Sequence, residues 1–217
     1  MIPLVVVGAG GFGRETIDVI LAINEVRPTF NLLGVVDDSP SELNRSRLDA
    51  IEVPLMGRID ELEGMDCHAT IGIGSPKARK AIAARLDGYR ISSPTLIHPT
   101  AVIGSAFRAN PGLVVCAGVS IGTNVTLGRH VHLNPHAVVG HDTTLEDFVS
   151  VNPNATVSGD CVIGAGTLLG AASVVLEGRT LPPATTVGAA ACVVSPGRPG
   201  ETVVGVPAKP LKRTSDR

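Results

Sequence analysis

The sequence, 217 residues long, predicts an α/β half-domain followed by a parallel β-helix. Near the N-terminus an apolar strand runs directly into a glycine-rich turn, which is typical of nucleotide-binding α/β folds. From Ile97 to Val187 an aliphatic residue recurs at every sixth position, which is typical of a β-helix. Aromatic residues make up only 2% of the chain and hydrophobic residues 44%, so we expect a repetitive core of Val, Ile, Leu and Ala.

The first strand and turn read IPLVVVGAGGFG, with Gly8, Gly10 and Gly13 in GxGxxG spacing. An amphipathic helix is expected to follow from about Arg14. Glycines at such a turn let the backbone approach a phosphate at the N-terminus of the helix. The pattern therefore predicts that this turn binds a phosphate-containing ligand.

A second strand, NLLGVV, ends in Asp37 and Asp38, and an acid at this place accepts a hydrogen bond from a ribose hydroxyl. A strand near residues 68–72 and a helix near residues 76–86 complete one mononucleotide half. A dinucleotide fold needs two such halves, and the hexads begin before a second one could fit. The segment is therefore expected to bind one nucleotide, such as the UDP or dTDP of a sugar nucleotide.

The second part of the chain consists of sixteen successive hexads in one phase, and only Ala109 among their first residues is not Val, Ile or Leu. The second residue is often Gly or Asn and is expected to form a tight turn, while the small or β-branched fifth residue points inward with the first. Three hexads make one triangular coil, and coils stack at the strand spacing of about 4.8 Å. A β-sandwich would instead show a period of two with irregular turns.

His141 and Asp142 lie in the stretch VVGHDTTLEDF, in a part of the chain that is otherwise poor in charge. His141 is the third residue of its hexad and is expected to project from a corner of the coil. Gly159 follows 18 residues later, one coil along the same edge, so a recess is expected beside the imidazole. Imidazole is a suitable base for deprotonating an attacking amine, and Asp142 could orient it. An exposed His–Asp turn without chemistry is the alternative.

Hexads of the form [LIV]-[G/N]-x-x-[small]-x resemble those of the left-handed β-helix acyltransferases, which work as trimers on acetyl-CoA. The tail VVGVPAKPLK, residues 203–212, looks like the segment that closes these enzymes near the CoA. A half-size Rossmann-like domain fused to such a helix is similar to the bacillosamine-pathway UDP-amino-sugar N-acetyltransferases and to the related sialic acid O-acetyltransferases. The resemblance covers nearly the whole chain and implies domains at 1–94 and 95–217.

The resemblance implies that acetyl-CoA is a co-substrate, that no cofactor is permanently bound, and that His141 is the general base. Asp142 takes the place of a supporting acid that is usually Glu, and Ser150 stands where the family often has a second His. Phe12 stands where the bacillosamine-pathway members have His. The residues implied to contact the nucleotide sugar are Gly8, Gly10, Gly11, Phe12, Asp37 and Asp38, and those implied to contact acetyl-CoA are Gly159, Ala171 and Ala189.

The predicted function is acetyl transfer from acetyl-CoA to the amino group of a UDP- or dTDP-activated amino sugar. Acylation of a sugar hydroxyl, as in the sialic acid enzymes, is the first alternative, and a non-catalytic solenoid that binds sugar nucleotides is another. A third is a metalloenzyme, because His130, His132 and His136 lie close together on the coil, as in the β-helical carbonic anhydrases. Their spacing does not match that pattern, so we expect surface histidines and no metal.

The charge and hydrophobicity of the chain argue against two classes of partner, nucleic acids and membranes. The net charge is −2 and no Lys/Arg run precedes residue 209, so we expect no nucleic acid partner. The N-terminus lacks a basic segment and the chain lacks an apolar run that could span a bilayer, so we expect a cytoplasmic protein without a membrane partner. The four cysteines have no CxxC spacing, which fits a reducing compartment.

Overall fold

The computed structural model describes residues 1–211, which begin with a four-stranded parallel sheet and continue as a β-helix. The strand order in the sheet is β3-β2-β1-β4. The strands are β1 (Ile2–Val7), β2 (Phe30–Val36), β3 (Leu55–Gly57) and β4 (His68–Ile71), and the helices are α1 (Gly11–Val26), α2 (Glu42–Asp49), α3 (Pro76–Gly88) and a 3₁₀ turn at Ile59–Leu62. The half-domain predicted from the sequence is confirmed.

Helix α1 begins at Gly11, slightly earlier than predicted. Gly13 lies inside the first turn and packs against the residue that follows β1, where a Cβ would collide with the carbonyl oxygen of Gly8. Since β1 and β4 are parallel neighbours, their carboxyl ends bring the β1–α1 and β4–α3 loops to one edge of the sheet.

The β-helix has three faces of short parallel strands. Face 1 consists of Leu96–Ile97, Val114–Val115, His132–Leu133, Ser150–Val151, Leu168–Leu169, Thr186–Val187 and Thr202–Val204, with Lys209–Pro210 added antiparallel. Face 2 consists of Val102–Ile103, Ser120–Ile121, Val138–Val139, Thr156–Val157, Val174–Val175 and Cys192–Val193. Face 3 consists of Arg108–Ala109, Thr126–Leu127, Thr144–Leu145, Val162–Ile163 and Thr180–Leu181.

The register confirms a coil of 18 residues, because His132 pairs with Ser150 and Val138 pairs with Thr156. The first and fifth residues of the hexads fill one continuous core, as predicted, although Ala109 near the N-terminal end is exposed. The left-handed β-helix that the family resemblance implied is therefore the fold of this part of the chain.

The turns differ from the expectation in one respect. The left-handed residue is the fourth of the hexad, as at Asn124 (φ 56°) and Asp142 (φ 57°), and not the glycine at the second position. A Cβ on Gly140, a second-position glycine, would lie 2.5 Å from the amide nitrogen of Gly159 in the next coil. Glycine is required there because successive coils stack closely, and the expectation that it serves the turn was wrong.

The half-domain rests on face 1 of the β-helix. Leu96, Val114 and Cys116 share a hydrophobic cluster with α1, and Phe148 packs with residues of α3. The predicted division at residues 94 and 95 falls in the segment between α3 and the first coil strand. Within residues 1–211, no helix has the length and hydrophobicity that a membrane crossing requires. The predicted closing segment follows face 1 as far as residue 211, and residue 212 lies outside the described residues.

Candidate active site

His141 and Asp142 lie in the turn between faces 2 and 3, which we call the second edge; it includes residues 140–143. The imidazole Nδ1 is 2.9 Å from Asp142 Oδ2, and the side chains are 55% and 49% exposed. Asp142 Oδ1 accepts a hydrogen bond of 2.8 Å from the amide of Asn124, one coil earlier. The three side chains therefore form a chain of hydrogen bonds across two coils.

The hydrogen bond from Asn124, together with that from His141, lowers the pKa of Asp142 below its usual value. A charged carboxylate can only accept hydrogen bonds, so it favours the tautomer of the neutral imidazole in which Nδ1 of His141 carries the hydrogen and Nε2 presents a lone pair. A Cβ on Gly159 would lie 2.5 Å from Nε2, so this nitrogen lies directly over the glycine. The structure thus brings Gly159 beside His141, as the coil length predicts.

Asn124 was not among the predicted site residues. It occupies the fourth position of its hexad, and the only signal was its distance of 18 residues from Asp142. An Asn in this left-handed position is favoured by the backbone alone, so its contact with the carboxylate could not be separated from a turn preference. The period of the coil would have identified it.

Ala171 and Ala189 lie elsewhere in the same chain, in the turn between faces 1 and 2, which we call the first edge. They occupy successive coils, since a Cβ on Gly170 would lie 2.6 Å from the amide nitrogen of Ala189. Face 2 separates this edge from His141. Within one protomer the predicted acetyl-CoA residues therefore form two groups, with Gly159 in one and both alanines in the other.

The glycine loop is open at its tip. Gly8 is in a left-handed conformation (φ 113°) against the carbonyl oxygen of Gly72, whereas a Cβ on Gly10 or Gly11 would meet no atom within 4 Å. Gly10 is the N-cap of α1 and provides no side chain to cap the first amides. These amides are therefore available to an anion, which favours a phosphate at this place.

The two acids that follow β2 point in different directions. Asp37 accepts hydrogen bonds from the amides of Ala9 and Ser39, both at 2.8 Å, so it shapes the glycine loop. Asp38 forms an ion pair of 2.6 Å with Arg85, and this hydrogen bond lowers the pKa of the carboxyl group. The structure brings Asp37 to the loop and holds Asp38 toward α3.

Phe12 turns toward the β-helix. Its ring stacks on His132 of face 1, with centroids 4.6 Å apart. Ser150, the neighbour of His132 on face 1, is buried under α3 and is not near the second edge. Both contacts attach the half-domain to the β-helix.

His130 and His132 are buried, which differs from the expectation of surface histidines. The repeat does not reveal which face is covered, and here the half-domain covers face 1. His130 stacks on Phe148 with centroids 5.5 Å apart, and both ring nitrogens of His132 lack a partner among the described residues. In residues 1–211, no three His, Cys, Asp or Glu side chains are grouped so that they could hold a metal ion.

Burial and the charges of Arg129 and Arg79 lower the pKa of His130 to about 4, against the weaker effects of Asp87 and Asp147. In the unfolded chain the imidazole has a pKa near 6.5, so the unfolded state binds more protons in the interval between these values. The free energy of unfolding is therefore unaffected by His130 above about pH 6.5 and decreases as the pH falls toward 4. For this one group the decrease amounts to at most about 3 kcal/mol. Burial lowers the pKa of His132 in the same direction.

Between pH 7 and pH 5 the free energy of unfolding should decrease less in His130→Asn than in the wild type. Urea unfolding at both pH values measures this difference. Asn suits the left-handed backbone at this position (φ 51°) and occupies it in other turns, as at Asn154. His98→Asn, at an exposed turn, is the control and should keep the wild-type dependence. Equal pH dependence in all three proteins would contradict the assignment to His130.

Asp142→Asn should lower kcat less than loss of the imidazole does. The substitution keeps the left-handed turn but removes the charge that fixes the tautomer of His141. Steady-state kinetics of Asp142→Asn and of Asn124→Ala should show the same direction of change, the second being the smaller. Wild-type kcat in Asp142→Asn would show that the carboxylate has no part in the reaction.

Several known proteins are similar to this chain over most of its length. Residues 3–86 match the PglD N-terminal domain. The GDP-perosamine N-acetyltransferase of Escherichia coli O157:H7 is 26% identical in an alignment of 214 positions that covers 95% of each chain. Similar crystal structures are those of PerB from Caulobacter crescentus in complex with CoA and GDP-perosamine (27% identity, 97% of each chain, TM-score 0.85) and of the acetyltransferase domain of PglB from Neisseria gonorrhoeae FA1090 (28% identity, 96% of this chain and 99% of that one, TM-score 0.84). The chain thus has a PglD-type N-terminal domain followed by a left-handed β-helix, and over nearly its whole length it is similar to sugar acetyltransferases of the hexapeptide-repeat type.

Proposed function

We propose that the protein transfers an acetyl group from acetyl-CoA to the amino group of a nucleotide-activated amino sugar. The observation that carries this proposal is the imidazole of His141, whose Nδ1 is held by Asp142 while Nε2 lies over Gly159. The similar proteins support the choice of acceptor, since one is named a GDP-perosamine N-acetyltransferase and another was crystallised with CoA and GDP-perosamine.

In the proposed reaction, Nε2 of His141 takes a proton from the amine as the amine nitrogen attacks the thioester carbonyl. The new carbon–nitrogen bond forms, the carbon–sulfur bond breaks, and CoA leaves as a thiolate that recovers the proton from the imidazolium. Asp142 stabilises the imidazolium, because its carboxylate remains charged and accepts from Nδ1. Gly159 leaves room for the thioester next to the ring.

We propose that the diphosphate of the sugar nucleotide binds at the open tip of the glycine loop, at Gly10, Gly11 and the backbone of Phe12. Asp37 contributes by holding the amide of Ala9, and Asp38 by joining this edge to Arg85. The sequence suggested UDP or dTDP, but the relatives named for GDP-perosamine add GDP to the candidates. The assay with GDP-, UDP- and dTDP-linked sugars distinguishes these three nucleotides.

The decisive assay is thiol release from acetyl-CoA with GDP-, UDP- and dTDP-linked amino sugars, each beside the matching sugar that has a hydroxyl instead of the amine. We expect release only with amino sugars, and a product whose new acetyl group resists hydroxylamine as an amide does. Release with the hydroxy sugars and a hydroxylamine-labile product would overturn N-acetylation in favour of O-acetylation.

We expect a homotrimer in solution. Gly159 and the alanines 171 and 189 lie on different edges, so one groove can include both groups only if a second protomer brings its first edge to the second edge of its neighbour. Exposed Val102, Val138 and Val162 on faces 2 and 3 provide apolar surface for such contacts. Light scattering at micromolar concentration should give three times the monomer mass, and a monomer would contradict a shared site.

A further inference from the structure

Arg79 is a completely buried cation in α3, and among the described residues no carboxylate pairs with it. Main-chain oxygens and one hydroxyl satisfy its guanidinium instead. Its hydrogen bonds run from Nε to His130 O (2.9 Å), from Nη1 to Ile73 O (2.9 Å) and Gly74 O (3.2 Å), and from Nη2 to Phe148 O (2.7 Å), Val149 O (3.3 Å) and Ser150 Oγ (2.9 Å).

These acceptors belong to two separate parts of the molecule. Ile73 and Gly74 form the β4–α3 loop of the half-domain, whereas the other acceptors lie on two successive coils of the β-helix. The hydroxyl of Ser150 closes the arrangement by donating to the carbonyl of Gly74 at 3.2 Å. The guanidinium of Arg79 thus joins the two parts, because its Nη1 binds the loop while its Nε and Nη2 bind the coils.

The β4–α3 loop is in tight contact with the glycine loop. A Cβ on Gly8 would lie 2.8 Å from Cγ1 of Ile73, and a Cβ on Gly72 would lie 2.5 Å from Cα of Gly13. Because there is no space between the two loops, a displacement of Ile73 must also displace the backbone around Gly8. Arg79 therefore fixes the glycine loop indirectly.

The same side chain holds the coil that carries His141, since His130 and Phe148 lie one coil apart and His141 lies between them in sequence.

Burying a guanidinium without a carboxylate is energetically costly, and an apolar contact would join the two surfaces at lower cost. The rigid fork instead defines their relative orientation. We propose that Arg79 is a positioning residue that fixes the glycine loop, and the sugar nucleotide bound there, relative to the coils that carry His141, an inference that rests on the proposed function.

Arg79→Lys in the full-length protein tests this inference, because lysine keeps the charge and loses the fork. We expect kcat to fall about 10²-fold, since small misplacement of a substrate has effects of this size. Calorimetry should show unchanged affinity for acetyl-CoA and for whichever of GDP, UDP or dTDP the wild type binds. Lys80→Arg, at the neighbouring exposed position of α3, is the control and should match the wild type. Wild-type kcat in Arg79→Lys, or loss of nucleotide affinity, would overturn the inference.

Hydrogen exchange gives a second test that needs no acceptor sugar. In Arg79→Lys, exchange should become faster in residues 8–13 and 72–75 and remain unchanged in the coil strands. If Arg79→Lys does not fold, Ser150→Ala, which removes one acceptor and the bond to Gly74, should show the same pattern with smaller changes. Unchanged exchange in the two loops would contradict the inference. Failure of the wild type to acetylate any amino sugar would instead contradict the proposed function.

Discussion

Replacing His141 with alanine should lower kcat about 10²–10⁴-fold, the range expected for loss of a general base. The fold should be unaffected, because the imidazole is half-exposed at the turn and belongs to no core cluster. Affinity for acetyl-CoA and for the nucleotide should also persist, since the proposed part of His141 is proton removal. Steady-state kinetics together with circular dichroism would measure both expectations.

The defect of His141→Ala should become smaller at high pH, because hydroxide in the solvent can then take the proton that the attacking amine releases. His98→Ala is a matched control, since His98 is also a turn histidine but lies on the first edge. Near-normal turnover in His141→Ala at neutral pH would show that another group removes the proton. The imidazole over Gly159 would then need a different explanation.

Gly159→Leu should abolish acetyl-CoA binding while leaving the fold and nucleotide affinity intact. The first added carbon would already lie 2.5 Å from Nε2 of His141, so the larger side chain must occupy the recess where the thioester is proposed to lie. Val157 and Cys161, on either side of it, point into the core and are unaffected. Calorimetry with acetyl-CoA would measure the loss, and Ser105→Leu, at the same hexad position three coils earlier, is the control.

Leucine at this position would both displace the imidazole of His141 and fill the recess for acetyl-CoA, and Gly159→Ala separates these two effects. One methyl group forces the imidazole to move, so kcat should fall, whereas most of the space for acetyl-CoA remains. Wild-type acetyl-CoA affinity in a folded Gly159→Leu variant would place acetyl-CoA elsewhere and remove the reason for choosing His141.

The sequence predicted the β-helix well because the hexad period determines the register directly. Once every sixth residue is known to point inward, the neighbours of His141 and Gly159 follow by counting 18 residues. Helix α3 shows the limit of this approach. Arg79 in a short amphipathic segment is expected to be exposed, and only the docking of α3 on the β-helix buries it. That contact spans 51 residues or more and has no periodic signal.

The lack of a sequence signal for long-range contacts also explains why the burial of the histidines and the reason for the second-position glycines were predicted wrongly. His132 has an outward position in the coil, which the hexad pattern gives correctly, but its burial depends on Phe12 of a separate part of the chain. At Gly140, the sequence cannot distinguish a left-handed turn from a lack of space for a Cβ, because both require glycine. The long-range contacts and the coil-to-coil distances needed the three-dimensional structure.

Insertions and deletions in the β-helix can preserve the chemistry only in whole coils. Asn124, the pair His141 and Asp142, and Gly159 belong to three successive coils; Asn124 contacts Asp142, and His141 lies over Gly159. Loss of a single residue between them would rotate every later side chain onto a different part of the prism. Gain or loss of a complete coil before Asn124 or after Gly159 would leave these contacts in place. Complete coils can therefore be added without effect on the proposed chemistry only after Ala189, because the coils before Asn124 carry the half-domain and those up to Ala189 carry the predicted acetyl-CoA residues.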